Sequence, residues 1–89
     1  MSKVFAEMDE YSTAGGLIYE EIALKFSAGE RARGINEYIR GLNEGLPHIH
    51  PTDNQFLYLL AGMECAAHHM GHEDEARYIG SKIDELTVF

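Results

Sequence analysis

One cysteine, two prolines, no tryptophan and only seven basic side chains occur among 89 residues. A lone Cys65 cannot form an internal disulfide, so the chain is not a disulfide-stapled scaffold. Seven Lys and Arg stand against fifteen Asp and Glu, a formal charge of −8. That sign opposes unassisted binding to phosphate backbones or anionic lipid, so neither nucleic acid nor membrane is expected as a direct partner. Protonating the five histidines would offset five of the eight charges, and solubility should fall around pH 6. No apolar run approaches the roughly 20 residues that span a bilayer. Nothing in the first thirty residues combines a charged start, an apolar stretch and a small-residue cleavage site. The expected setting is therefore a reducing cytoplasm. No Walker-type loop, dinucleotide fingerprint or calcium loop is present, and no cofactor is implied.

What the chain does have is apolar helical periodicity. Its composition, 45% hydrophobic and 25% charged, is that of a globular protein, and its length fits a single helical domain over 1–89. The richest stretch runs from Phe56 to Met70. At 100° per residue, Phe56, Leu59, Leu60, Met63, Ala66, Ala67 and Met70 share one face, while Leu57, Tyr58, Ala61 and Cys65 occupy the other. A helix this apolar needs cover on both sides, and the remaining elements should pack around it.

Ser2 can cap a first turn, and Val4, Phe5, Met8 and Tyr11 recur at helical spacing, giving a short helix over about 3–11. Ser12-Thr13-Ala14-Gly15-Gly16 then weakens the signal, since each glycine costs a helix about 1 kcal/mol relative to alanine. A break is expected there. The rival is one continuous helix in which the glycines admit a neighbouring backbone. Ile18, Ile22 and Phe26 lie on one side of the next helix, about 14–26, and Leu17 and Leu24 on another. Ser27-Ala28-Gly29-Glu30 has capping-box form and opens a helix over about 29–44, with Ala32, Ile35, Tyr38, Ile39 and Leu42 inward. Arg33, Glu37, Arg40 and Glu44 form a solvated ladder opposite.

Gly45 can close that helix, and Pro47 and Pro51 stiffen a connector that reaches roughly 20–25 Å, so the helices on its two sides need not be neighbours. Thr52-Asp53-Asn54-Gln55 opens the central helix, about 53–70, and Gly71 ends it. Glu73-Asp74-Glu75 suits the start of a last helix, about 73–87, with Ala76, Ile79, Ile83 and Leu86 inward, before a folded-back Val88-Phe89 tail. Two helix–glycine–helix units, Leu17 to Leu42 and Phe56 to Leu86, resemble tetratricopeptide hairpins in shape only. Ile35 and Gly80 stand where that family has a small and a large residue respectively, and two units are fewer than such arrays use.

His48, His50, His68, His69 and His72 crowd into one window with Cys65. Cys65 lies three and four residues before His68 and His69, a spacing that can bring thiolate and imidazole to one metal, and His72 is a further candidate ligand. The helix stop at Gly71, and the lack of a paired motif, favour surface and capping histidines instead. A Cys65 nucleophile lacks any oxyanion-hole turn, and the adjacent carboxylates lack a basic partner at site-like spacing, so no catalytic residue is assigned. The far face of the central helix, with Leu57, Tyr58, Ala61, Cys65 and His69, has the composition of an interface centre unless the N-terminal helix covers it. The expectation is an all-α bundle acting as a small acidic, non-enzymatic protein-binding protein. It would be an inhibitor, adaptor or chaperone-like subunit, with phage or mobile-element proteins as a compositional parallel. A homo-oligomer, a histidine-based metal or pH sensor, and a nucleic-acid mimic that blocks a basic groove are the alternatives.

Overall fold

The computed structural model describes the backbone of residues 3–44 and 53–87, and side chains within 8–41 and 55–86. Four helices account for nearly all of it: α1 (Lys3–Lys25), α2 (Arg31–Glu44), α3 (Asp53–His69) and α4 (Glu73–Thr87). The radius of gyration, 12.6 Å, is close to the roughly 12 Å of a compact domain this long. Ser2, Gly45, the connector with His48 and His50, Thr52 and the Val88-Phe89 tail lie outside the described residues.

The break expected at residues 12–16 is absent, because α1 runs unbroken for 23 residues. The short 3–11 helix and the 14–26 helix are one element. The reason is tertiary. A methyl group built on Gly15 would collide with the Leu59 carbonyl oxygen, and one on Gly62 would collide with that of Ser12. The two backbones meet at reciprocal glycines, and packing around the contact outweighs the weak helix propensity of the sequence there. Tyr19, one turn beyond Gly15, is consequently carried to zero exposure in the core.

Around that contact, Ile22, Ile35, Phe56, Leu59, Leu60, Met63, Ala67, Ala76 and Ile79 complete the buried cluster. α3 packs on α1 and on α4, whereas α2 packs on α1 and α4, so α2 and α3 face each other across a diagonal. Arg31 lies near Glu75 and Asn36 bonds Tyr78, which sets α2 parallel to α4. Gly16 near Ala66 and Tyr19 near His72 set α1 parallel to α3. Two helical hairpins therefore stand side by side with both turns at the same end.

The helix ends follow local chemistry. Gly71, at φ 77°, terminates α3 in a Schellman arrangement, with His72 N–H donating to the Ala67 carbonyl at 2.8 Å and Gly71 N–H to that of His68 at 3.0 Å. α3 thus closes at His69, one residue early, and Met70 falls in the turn, 43% exposed rather than on the core face. α2 starts at Arg31, two residues late, because Ser27–Glu30 forms a separate turn, with Glu30 N–H donating to the Ser27 carbonyl. Ala32 and Leu86, assigned to core stripes, are exposed. In the expected ladder, Arg33 instead pairs with Glu30 at 3.5 Å.

Gly15→Ala and Gly62→Ala should each destabilise the fold by about 2–3 kcal/mol, since a rigid carbonyl fills the space of the new methyl. Gly41→Ala, whose methyl meets nothing within 4 Å, should stabilise α2 by about 0.5–1 kcal/mol. Urea unfolding followed by circular dichroism measures both.

Candidate functional site

The far face of α3 is neither sealed nor fully bare. Leu57 and Tyr58 are half-buried, while Ala61, Cys65 and His69 are exposed. α1 covers only the flank that carries Leu59, Gly62 and Ala66. Where the backbones meet through glycine, the bordering side chains must diverge, and they leave a groove on the outer surface. Its floor is Gly16, Gly62 and Ala66, and its walls include Glu20 on one side and Cys65, His69 and Met70 on the other. Of the five residues assigned to partner binding, Cys65 and His69 edge this groove and Ala61 lies beside them.

The possible metal ligands diverge. His68 Nδ1 sits 2.9 Å from the Glu73 carboxylate across the α3–α4 turn, with both side chains more than half exposed. His72 turns inward, while Cys65 and His69 look into solvent. Among the described residues, no group of three His, Cys, Asp or Glu side chains is placed to hold a metal ion.

His72 belongs to a polar cluster at the turn end of the bundle that sequence reasoning missed. The Tyr19 hydroxyl lies 2.8 Å from His72 Nδ1, and the two rings meet edge to face at 5.9 Å. Arg31 and Glu75 approach to 3.8 Å with both side chains largely shielded, and Arg31 Nε is buried without a hydrogen-bond partner. Burial, reinforced by the Glu75 charge and opposed by Arg31, pushes the Tyr19 phenol up to about 12. The neutral phenol can then donate to Nδ1 of an imidazole whose proton sits on Nε2. One bond thereby ties α1 to the α3–α4 turn. The seven-residue spacing from Ser12 to Tyr19, with Gly15 and Gly16 between, marks this face once α1 is read as continuous.

A second unassigned surface flanks α1 on its outer side. Leu17 and Leu24 are 62% and 88% exposed. Next to them α1 and α2 splay apart over a cleft of about 250 Å³, lined by Ile18, Ile22, Phe26, Gly34 and Tyr38 together with the charged Glu21, Lys25 and Glu37. Burial, with the Glu21 charge adding to it, raises the Tyr38 phenol as well. Among the described residues, no helix is long and apolar enough to cross a membrane.

Tyr19→Phe leaves His72 Nδ1 without its partner and should cost about 1–3 kcal/mol. The native phenol keeps its proton above the pH at which the unfolded one, with its ordinary value of 10.0, releases it. Stability is therefore full below about pH 10 and falls as pH rises toward about 12. Tyr38 acts in the same direction, so Tyr19→Phe should shrink that alkaline slope without abolishing it. Tyrosinate absorbance and helicity, recorded together from pH 9 to 12.5, check both.

Compared with protein-family models, curated proteins and solved structures, the chain finds no match among any of them.

Proposed function

We propose that this chain is a small acidic binding protein without catalysis of its own, an inhibitor, adaptor or chaperone-like subunit that occupies a partner protein through its helical surface. The observation that supports this reading best is the outer face of α3. Ala61, Cys65 and His69 remain open beside a groove whose small-residue floor would let an incoming side chain or helix come close to the backbone. The charge of −8 would steer such a protein toward a basic partner and away from nucleic acid. A reducing cytoplasm suits the reading, because the exposed Cys65 stays a thiol there.

Leu57 and Tyr58 are half-buried, so charged substitutions there would disturb the fold as well as the surface. Ala61→Glu and Cys65→Arg change only exposed positions. Tagged protein should retain a stoichiometric partner from the native host. Each variant should weaken retention at least about tenfold, roughly 1.4 kcal/mol, at unchanged helicity. Retention that survives both substitutions counts against the α3 face as the binding surface.

A further inference from the structure

We propose that the Tyr19–His72 hydrogen bond is an acid-released tie that sets the width of the α1–α3 groove, so that protonating His72 loosens the turn end of the face on which a partner would dock. This rests on the protein-binding reading of the α3 face and names how that face is regulated.

The tie stands directly behind the groove. At its turn end the groove is walled by Glu20 from α1 and by His69 and Met70 from the end of α3. Glu20 follows Tyr19 in the chain and Met70 lies two residues before His72, so the bond from the Tyr19 hydroxyl to His72 Nδ1, at 2.8 Å, joins the two walls from within. Farther along, α1 and α3 meet at Gly15 and Gly62 through backbone atoms, which do not titrate. Acid can therefore act on one end of the groove and not on the other.

Protonation reverses what Nδ1 can do. A neutral imidazole with its proton on Nε2 accepts at Nδ1, whereas imidazolium donates from both nitrogens and accepts at neither. Tyr19, at zero exposure, is then left with a hydroxyl hydrogen that water cannot reach.

The charges around the bond oppose protonation as well. Arg31 from α2 and Glu75 from α4 act on the Tyr19 hydroxyl in opposite senses and face each other at 3.8 Å, both largely shielded. Their charges cancel, so imidazolium would make the cluster net cationic where little water reaches it. At the end of α3, His68 meets Glu73 at 2.9 Å in the open, a contact that acid strengthens. From α1 the remaining charge beside Tyr19 is Glu20, which is exposed. Hydrogen bond and charge balance both belong to the neutral ring. The unfolded chain, whose imidazole takes up a proton around pH 6, then binds more protons than the tied fold, and stability falls as pH drops through that range.

The test follows amide and imidazole resonances of the isotopically labelled protein, together with urea unfolding, from pH 7.5 to 5.5. Amides of Gly16, Glu20 and Met70 should move in step with the His72 ring, while those of Ser12 and Leu59 at the glycine joint stay. Over the same range the folding equilibrium constant should drop about tenfold more in the wild type than in His72→Asn, whose amide oxygen accepts but does not titrate. Tyr19→Phe, with no bond to lose, should share the shallow slope and show the acid positions of the groove amides already at pH 7.5.

Groove amides that keep moving in His72→Asn report His68 or His69 instead, and overturn the proposal. So does an acid loss of stability equal in the wild type and both variants, or a groove that stays still while His72 titrates. Retention of a host partner that falls about tenfold from pH 7.5 to 5.5 in the wild type but not in His72→Asn supports the regulation, and retention indifferent to pH while the groove moves overturns it. If no partner is retained at either pH and the amides still move as expected, the α3 reading falls and the acid-released tie stands.

Discussion

Everything else in the fold is placed by the backbone contact between α1 and α3, where Gly15 faces the Leu59 carbonyl and Gly62 faces that of Ser12. Helices usually pack through interleaved side chains at 8–10 Å between axes, and here the absence of two Cβ atoms allows a closer approach. That approach fixes the rotation of α1 about its axis. Once Gly15 points at α3, Tyr19 must enter the core, Ile18 and Ile22 must face α2, and Leu17 and Leu24 must face solvent. The exposed ridge and the buried tyrosine are two results of one constraint.

The same contact shows what the sequence could and could not convey. α4 and the start of α3 were legible at once, because acidic residues at Glu73–Glu75, a glycine stop at Gly71 and apolar stripes that miss only at Met70 and Leu86 all agree. The diagonal relation of α2 and α3 was foreshadowed by a connector too stiff and long for a tight turn. The continuity of α1 was not legible. Glycine in a helix is locally unfavourable, and only a partner backbone distant in sequence turns that deficit into a packing gain. Judged within a five-residue window, Ser12 to Gly16 is a break. Set against Gly62, it is a direct backbone-to-backbone joint between α1 and α3.

The site residues divide along the same line. Ala61, Cys65 and His69 were identified from their angular position, and that position alone decides that they lie away from the buried face of α3. Leu57 and Tyr58 share the face but are half-buried. The histidine window divides in a different way. The glycine stop that counted against a shared metal in the sequence is a Schellman turn, and it sends His72 inward to Tyr19 while His68 reaches Glu73 across the surface. A turn that reverses the chain separates neighbours as effectively as it joins strangers.

A bundle of this size has few ways to hide apolar surface, and the allocation here is uneven. α3, the most apolar helix, takes cover on two flanks, from α1 and from α4, and those same neighbours are held apart from each other by its bulk. α2 then spans the gap between them, and its glycine-bearing side rests only lightly on α1, which opens the cleft above Ile18 and Ile22. On its other side α2 is joined to α4 by Arg31 beside Glu75 and by Tyr78 bonded to Asn36. The outward-facing apolar side chains of α1, Leu17 and Leu24, follow from this uneven sharing of few helices, since α3 and α2 cover only its other flanks.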